Sequence, residues 1–99
     1  MQLNDRELFQ QSAFIGGQWR GVQSGATDSI HNPATGEVLG AVPHMGADET
    51  RDAIQAAQTA LASWSALTAR KRSEILLRWY ALMLEHRDDL ARIITLEQG

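Results

Sequence analysis

Between Ile75 and Leu84, nine of ten consecutive residues are apolar or aromatic, and only Arg78 is polar. Thr68 is a good N-cap for a helix running from there through about Glu85. A surface helix buries one stripe, whereas a helix that is apolar on several sides has to be covered on several sides. The stretch is about half the roughly 18 residues expected of a membrane span and contains an arginine, so it reads as part of a soluble protein.

Two further helices flank it. From Ala47 onward the hydrophobic period is about 3.6, with Asp48 as the expected N-cap and Ile54, Ala57, Leu61 and Trp64 on one face. Ser65-Ala66-Leu67 break that pattern. A third helix is expected from His86 or Arg87, with Asp88 and Asp89 in its first turn, ending at Gly99. The first and third helices are expected to cover part of the middle one.

Residues 13–43 read as two β hairpins. Ala13-Phe14-Ile15 and Gln18-Trp19-Arg20 flank Gly16-Gly17, a pair that supplies the positive φ angles of a tight turn. Ser29-Ile30-His31 and Val38-Leu39-Gly40-Ala41-Val42 are separated by Asn32-Pro33-Ala34-Thr35-Gly36-Glu37, where Pro33 fixes φ early and Gly36 can close the turn. Pro43 is expected to stop the last strand. The fold class is therefore an α+β segment, with a β-hairpin region over 1–46 and a helical region over 47–99. Short hairpins leave unpaired edges, and with the crowded middle helix they suggest a piece of something larger.

The composition, 43% hydrophobic and 21% charged, is that of a globular protein. A net charge of −3 with interspersed signs gives no footprint for nucleic acid or an anionic membrane. The absence of cysteine excludes a disulfide framework, a thiolate metal site and a thiol nucleophile within these residues. The absence of cysteine is compatible with the cytoplasm, and Met1 through Glu7 is polar and lacks the basic start and apolar stretch of a secretory signal.

His31, His44 and His86 show no metal-ligand spacing. No glycine belongs to a strand-to-helix G-x-G-x-x-G or precedes Lys-Ser/Thr, so the glycines read as turn residues. Arg70-Lys71-Arg72 reads as a solvated helix start that could pair with another part of a longer chain. Glu74 with Arg78 and Asp88 with Arg92 are expected as i, i+4 pairs. Asp48, Glu49, Asp52, Asp88 and Asp89 sit at helix starts, which capping and the macrodipole explain without catalysis. Trp19, Trp64 and Trp79 read as packing anchors.

The order Phe14-Ile15-Gly16-Gly17-Gln18-Trp19, then Asn32-Pro33-Ala34-Thr35-Gly36-Glu37, then Ala47-Asp48-Glu49 opening an alanine-rich helix that ends near Trp64, resembles the start of aldehyde dehydrogenases. Leu84 through Ala91 and Thr95-Leu96-Glu97-Gln98-Gly99 are similar again. Leu3-Asn4-Asp5 and the junction Met45 through Thr50 look most like the bacterial succinate-semialdehyde or glutarate-semialdehyde enzymes.

The resemblance implies that the segment is part of the larger α/β aldehyde dehydrogenase fold, in a homo-oligomeric cytoplasmic enzyme that uses NAD or NADP. In that family a cysteine thiolate attacks the aldehyde and an asparagine with backbone amides stabilises the oxyanion. Hydride passes to the nicotinamide, and a glutamate activates water. All of those groups are expected beyond Gly99. Asn32 and Glu37 match turn positions and are not the family's asparagine and glutamate. No catalytic, cofactor-binding or metal residue is expected among residues 1–99, no cofactor is expected to bind them alone, and the isolated chain is expected to be inactive. The partner is the remainder of the subunit, with neither nucleic acid nor membrane. Two other readings are a free-standing helical module that binds a partner helix and a nonfunctional truncated copy.

Overall fold

A computed structural model describes all 99 residues. Four strands, β1 (Ala13–Ile15), β2 (Gln18–Arg20), β3 (Thr27–His31) and β4 (Val38–Pro43), precede three helices, α1 (Ala47–Ala66), α2 (Ala69–Glu85) and α3 (Arg87–Gln98). The strands form two separate antiparallel hairpins, β1 with β2 and β3 with β4. The two hairpins and three helices are those expected.

In the first hairpin Phe14 faces Trp19, and their rings lie 5.0 Å apart. Gly16 and Gly17 have φ of +61° and +79°, as a type I′ turn requires at both central positions. This hairpin rests on the small-residue side of α1, where Ala56 Cβ lies within van der Waals reach of Gly16. Arg20 ties the same pair of elements together through Asp52 at 2.9 Å.

The second hairpin starts two residues earlier than expected, because Thr27 and Asp28 also pair, with Pro43 and Val42. Pro43 thus ends the strand as its last paired residue. The register shifts between Ile30 and His31, a bulge that absorbs Leu39. The turn is built around Asn32, whose Oδ1 accepts from Ala34 N at 2.9 Å while its carbonyl accepts from Gly36 N at 2.7 Å. Gly36 closes it at φ +76°.

Several helix ends differ from expectation. Gly46, not Asp48, is the N-cap of α1. Glu49 reaches back so that its Oε2 accepts from Gly46 N at 2.9 Å, one half of a capping box, and Asp48 lies within the first turn beside Arg51. Thr68 caps α2 as expected, accepting from Lys71 N. Arg72 turns back onto the preceding helix and donates to the carbonyls of Leu67 and Ser65, stabilising the carbonyl end of α1. Glu74 pairs with Arg70 rather than Arg78. Asp88 pairs with Arg87, which leaves Arg92 to donate to the carbonyl of Gln2.

Residues 2–11 form an extended strap with one 3-10 turn at Arg6–Leu8. At one end it meets the start of α3. At the other, Gln11 Oε1 accepts from Ala41 N at 2.9 Å, which fastens it to β4. Gly40 lets the strap approach: a Cβ there would lie 2.5 Å from Gln11 Oε1 and 2.9 Å from the Phe9 ring. Gly40→Val should lift residues 9–11 off β4, read as roughly fivefold or faster hydrogen exchange at the Ala41 amide once its acceptor is lost.

Candidate docking surface

A folded monomer of 10.9 kDa exposes about 5,600 Å², but this chain exposes 7,722 Å². Its radius of gyration is 16.5 Å, where a compact domain of this length has about 13 Å. The reason is visible at the residue level: no apolar side chain is fully buried, and the two buried residues are Asn32 and Asp89. The three helices splay rather than enclose a core.

The exposed area is concentrated on α2. Leu76, Leu77, Trp79, Tyr80, Leu82, Met83 and Leu84 are each more than two-fifths exposed, with Trp79 and Leu77 at 61%. As expected, α1 and α3 cover only part of this helix, and most of its apolar side chains stay about half exposed or more. Apolar residues from Ile75 to Leu84 surround α2 except along the stripe of Lys71, Glu74, Arg78 and Glu85, so two neighbouring helices are too few to cover them. The apolar face expected for α1 is likewise uncovered at Ile54 (62%) and Leu61 (58%), because the first hairpin settles on its alanines instead.

Two hollows shape the α2 surface. One, between strap, α2 and α3, is lined by Leu8, Trp79, Leu82, Met83, His86 and Leu90. The other is lined by Leu67, Lys71, Glu74, Ile75, Leu77 and Arg78. No helix is long and apolar enough to cross a membrane.

One polar centre is built with care. Asp89 is 3% exposed, and its Oδ2 accepts from Asp5 N at 2.8 Å while its Oδ1 accepts from Asn4 N at 3.0 Å and Asn4 Nδ2 at 3.2 Å. The Asn4 and then the Asp5 amides hold its carboxyl below the ordinary 3.8, against the opposing effect of burial and with help from Arg92 and His86. Sequence reasoning gave Asp89 only a helix-dipole role. Its partners lie 84 and 85 residues away in the chain, and no local pattern signals them.

The remaining polar candidates stay apart. His44 pairs with Asp28 at the surface, 2.7 Å away, and His86 sits between α2 and α3. No three metal-ligating side chains converge. No parallel strand leads into a helix, Glu49 already occupies the amide at the start of α1, and Asp89 at the start of α3 is engaged by the strap. Asn32 lies in its turn.

The aldehyde dehydrogenase family model matches residues 19–99. The chain is 57% identical over 99 residues to the NADP(+) succinate-semialdehyde dehydrogenase of Escherichia coli, covering all of this chain and 20% of that protein. It is also 57% identical over its whole length to the glutarate-semialdehyde dehydrogenase of Pseudomonas putida, covering 21% of it. Among solved structures, an NADP-dependent enzyme of E. coli superposes with a TM-score of 0.97 at 56% identity, over 99% of this chain and 20% of that one. The succinate-semialdehyde dehydrogenase of Burkholderia pseudomallei gives 0.92 at 49% identity, over 95% and 20%. The chain thus spans about one-fifth of the length of these relatives, and its two hairpins and three helices match the amino-terminal part of their fold. It belongs to the aldehyde dehydrogenase family.

Proposed function

We propose that this chain is the amino-terminal scaffold segment of a cytoplasmic, homo-oligomeric oxidoreductase that converts succinate semialdehyde, or a similar short aldehyde, to the carboxylic acid with NAD(P)+. Its part in that reaction is structural. The observation that carries the reading is the surface of α2, which is rich in large apolar side chains and mostly uncovered within these 99 residues. Covering it would remove several large side chains from water, each worth about 1.5–3 kcal/mol when fully buried. The identity to semialdehyde dehydrogenases over the full chain supports the substrate class. The catalytic groups and the dinucleotide site belong to the remainder of the subunit, so the isolated chain is inactive.

A chimera tests this. These 99 residues replace the matching 99 of the E. coli succinate-semialdehyde dehydrogenase, and NADP+ reduction is followed with succinate semialdehyde. The chimera is expected to be soluble and to keep activity within roughly tenfold of the parent, since volume-conserving changes in a packed interface are tolerated. An insoluble or inactive chimera, with the parent active alongside, would count against the scaffold role.

A further inference from the structure

The second hairpin has an outer edge along β4. The Ala41 amide donates to Gln11 Oε1 of the strap at 2.9 Å. Residues along an antiparallel strand bond alternately to one side and the other, so the backbone of Ala41 points away from β3. His44, three residues on, keeps the opposite phase and donates to Ala26 O beside β3. β4 carries no charge from Val38 to Pro43, and an uncharged edge strand is a ready template for pairing with another chain. Two features blunt its ends: Pro43 has no amide to donate, and the bulge at Leu39 interrupts the ladder. Ala41 lies between them.

The strap covers that remaining position. A side-chain carbonyl, that of Gln11, stands where the main-chain carbonyl of an adjacent strand would be. The Phe9 ring lies so close over Gly40 that a Cβ there would come within 2.9 Å of it. Asn4 and Asp5 hold the strap at Asp89 on one side of Phe9, and Gln11 holds it on the other. The cover is therefore fastened at both ends, and it is detachable, because neither fastening is covalent.

We infer that residues 9–11 mask a self-pairing edge, whose fitting partner is β4 of a second copy of this chain. A twofold axis beside Ala41 sets this residue opposite its own copy, where the two exchange both N–H···O bonds of an antiparallel pair. No like charges on β4 oppose that approach. The strap and the second copy thus compete for one amide. The strap wins while it is fastened, because a tethered group acts at an effective concentration on the order of millimolar, far above that of a second copy in dilute solution. All the groups involved belong to this chain, so the inference stands apart from the scaffold reading.

Hydrogen exchange at the Ala41 amide of the 99-residue chain, followed over a range of protein concentrations, tests this. In the unsubstituted chain exchange should be slow and independent of concentration. Gln11→Leu removes the acceptor, so exchange in dilute solution should be about fivefold faster or more. It should slow again by a similar factor as concentration rises, with a matching gain in sedimenting mass. Adding Ala41→Pro, which an outward-facing edge position tolerates, removes the donor and should return the mass to that of the unsubstituted chain. Association through the exposed surface of α2 is common to all these proteins and cancels in the comparison. Gly40→Val lifts the strap by a second route and should reproduce the concentration dependence. Fast exchange at every concentration in both strap variants would mean that the bare edge does not pair. Equal mass with and without Ala41→Pro would place any association elsewhere, and fast exchange in the unsubstituted chain would mean that the strap masks nothing; each of these overturns the inference.

Discussion

Heated alone, the 99-residue chain should lose its ellipticity gradually, and a dye that reports exposed apolar surface should bind strongly before heating begins. A cooperative domain of about 100 residues unfolds with an enthalpy of roughly 60–80 kcal/mol at its midpoint. Cooperativity of that kind needs a shared core, and here no apolar side chain is fully buried. The apparent van't Hoff enthalpy is therefore expected below about half that range. Circular dichroism with dye fluorescence on the same sample decides the matter. A sharp transition with little dye binding would mean that these residues close their own core, and the reading as a free-standing helical module would then lead.

The second large effect concerns Asp89. Replacing it with Asn keeps the shape but sets an N–H2 group against main-chain amides that need an acceptor, and one charge is lost. In the chimera, hydrogen exchange in the peptide covering residues 1–12 should accelerate by roughly tenfold or more. Because the folded carboxyl is held below its ordinary value, its contribution is complete above that value and fades as pH falls through the lowered one. A fluorophore at the amino terminus should therefore become mobile in the unsubstituted chimera only as pH falls through that lowered value, and be mobile at every pH in the Asp89→Asn variant. Equal exchange in the two proteins would show that the strap is held elsewhere.

The hairpins and helices were legible because their signals are local. Gly16-Gly17 between short strands, the Asn32 to Glu37 turn, Thr68 ahead of a helix and Gly99 after one each specify geometry within a few residues. The helix start at Gly46 was less so, since Asp48 offers a capping side chain two residues on, whereas the actual N-cap is a glycine whose amide donates to Glu49. Thr27 and Asp28 lack the alternation of a half-buried strand, yet pairing with β4 recruits them. The candidate surface was legible in part: the density of apolar residues on α2 announced that cover is needed. What the pattern could not convey was that α1 and α3 leave it open, because helix splay depends on packing across many separate positions.

The separation between Asp89 and its strap also orders events in time. A ribosome adding about 5–20 residues per second takes roughly 4 to 17 s to travel from Asn4 to Asp89, 85 residues on. Throughout that interval the first dozen residues have no carboxylate to grip, although the β4 contact at Ala41 is already available. The strap is thus synthesised before both hairpins, yet its contact with α3 forms only after them.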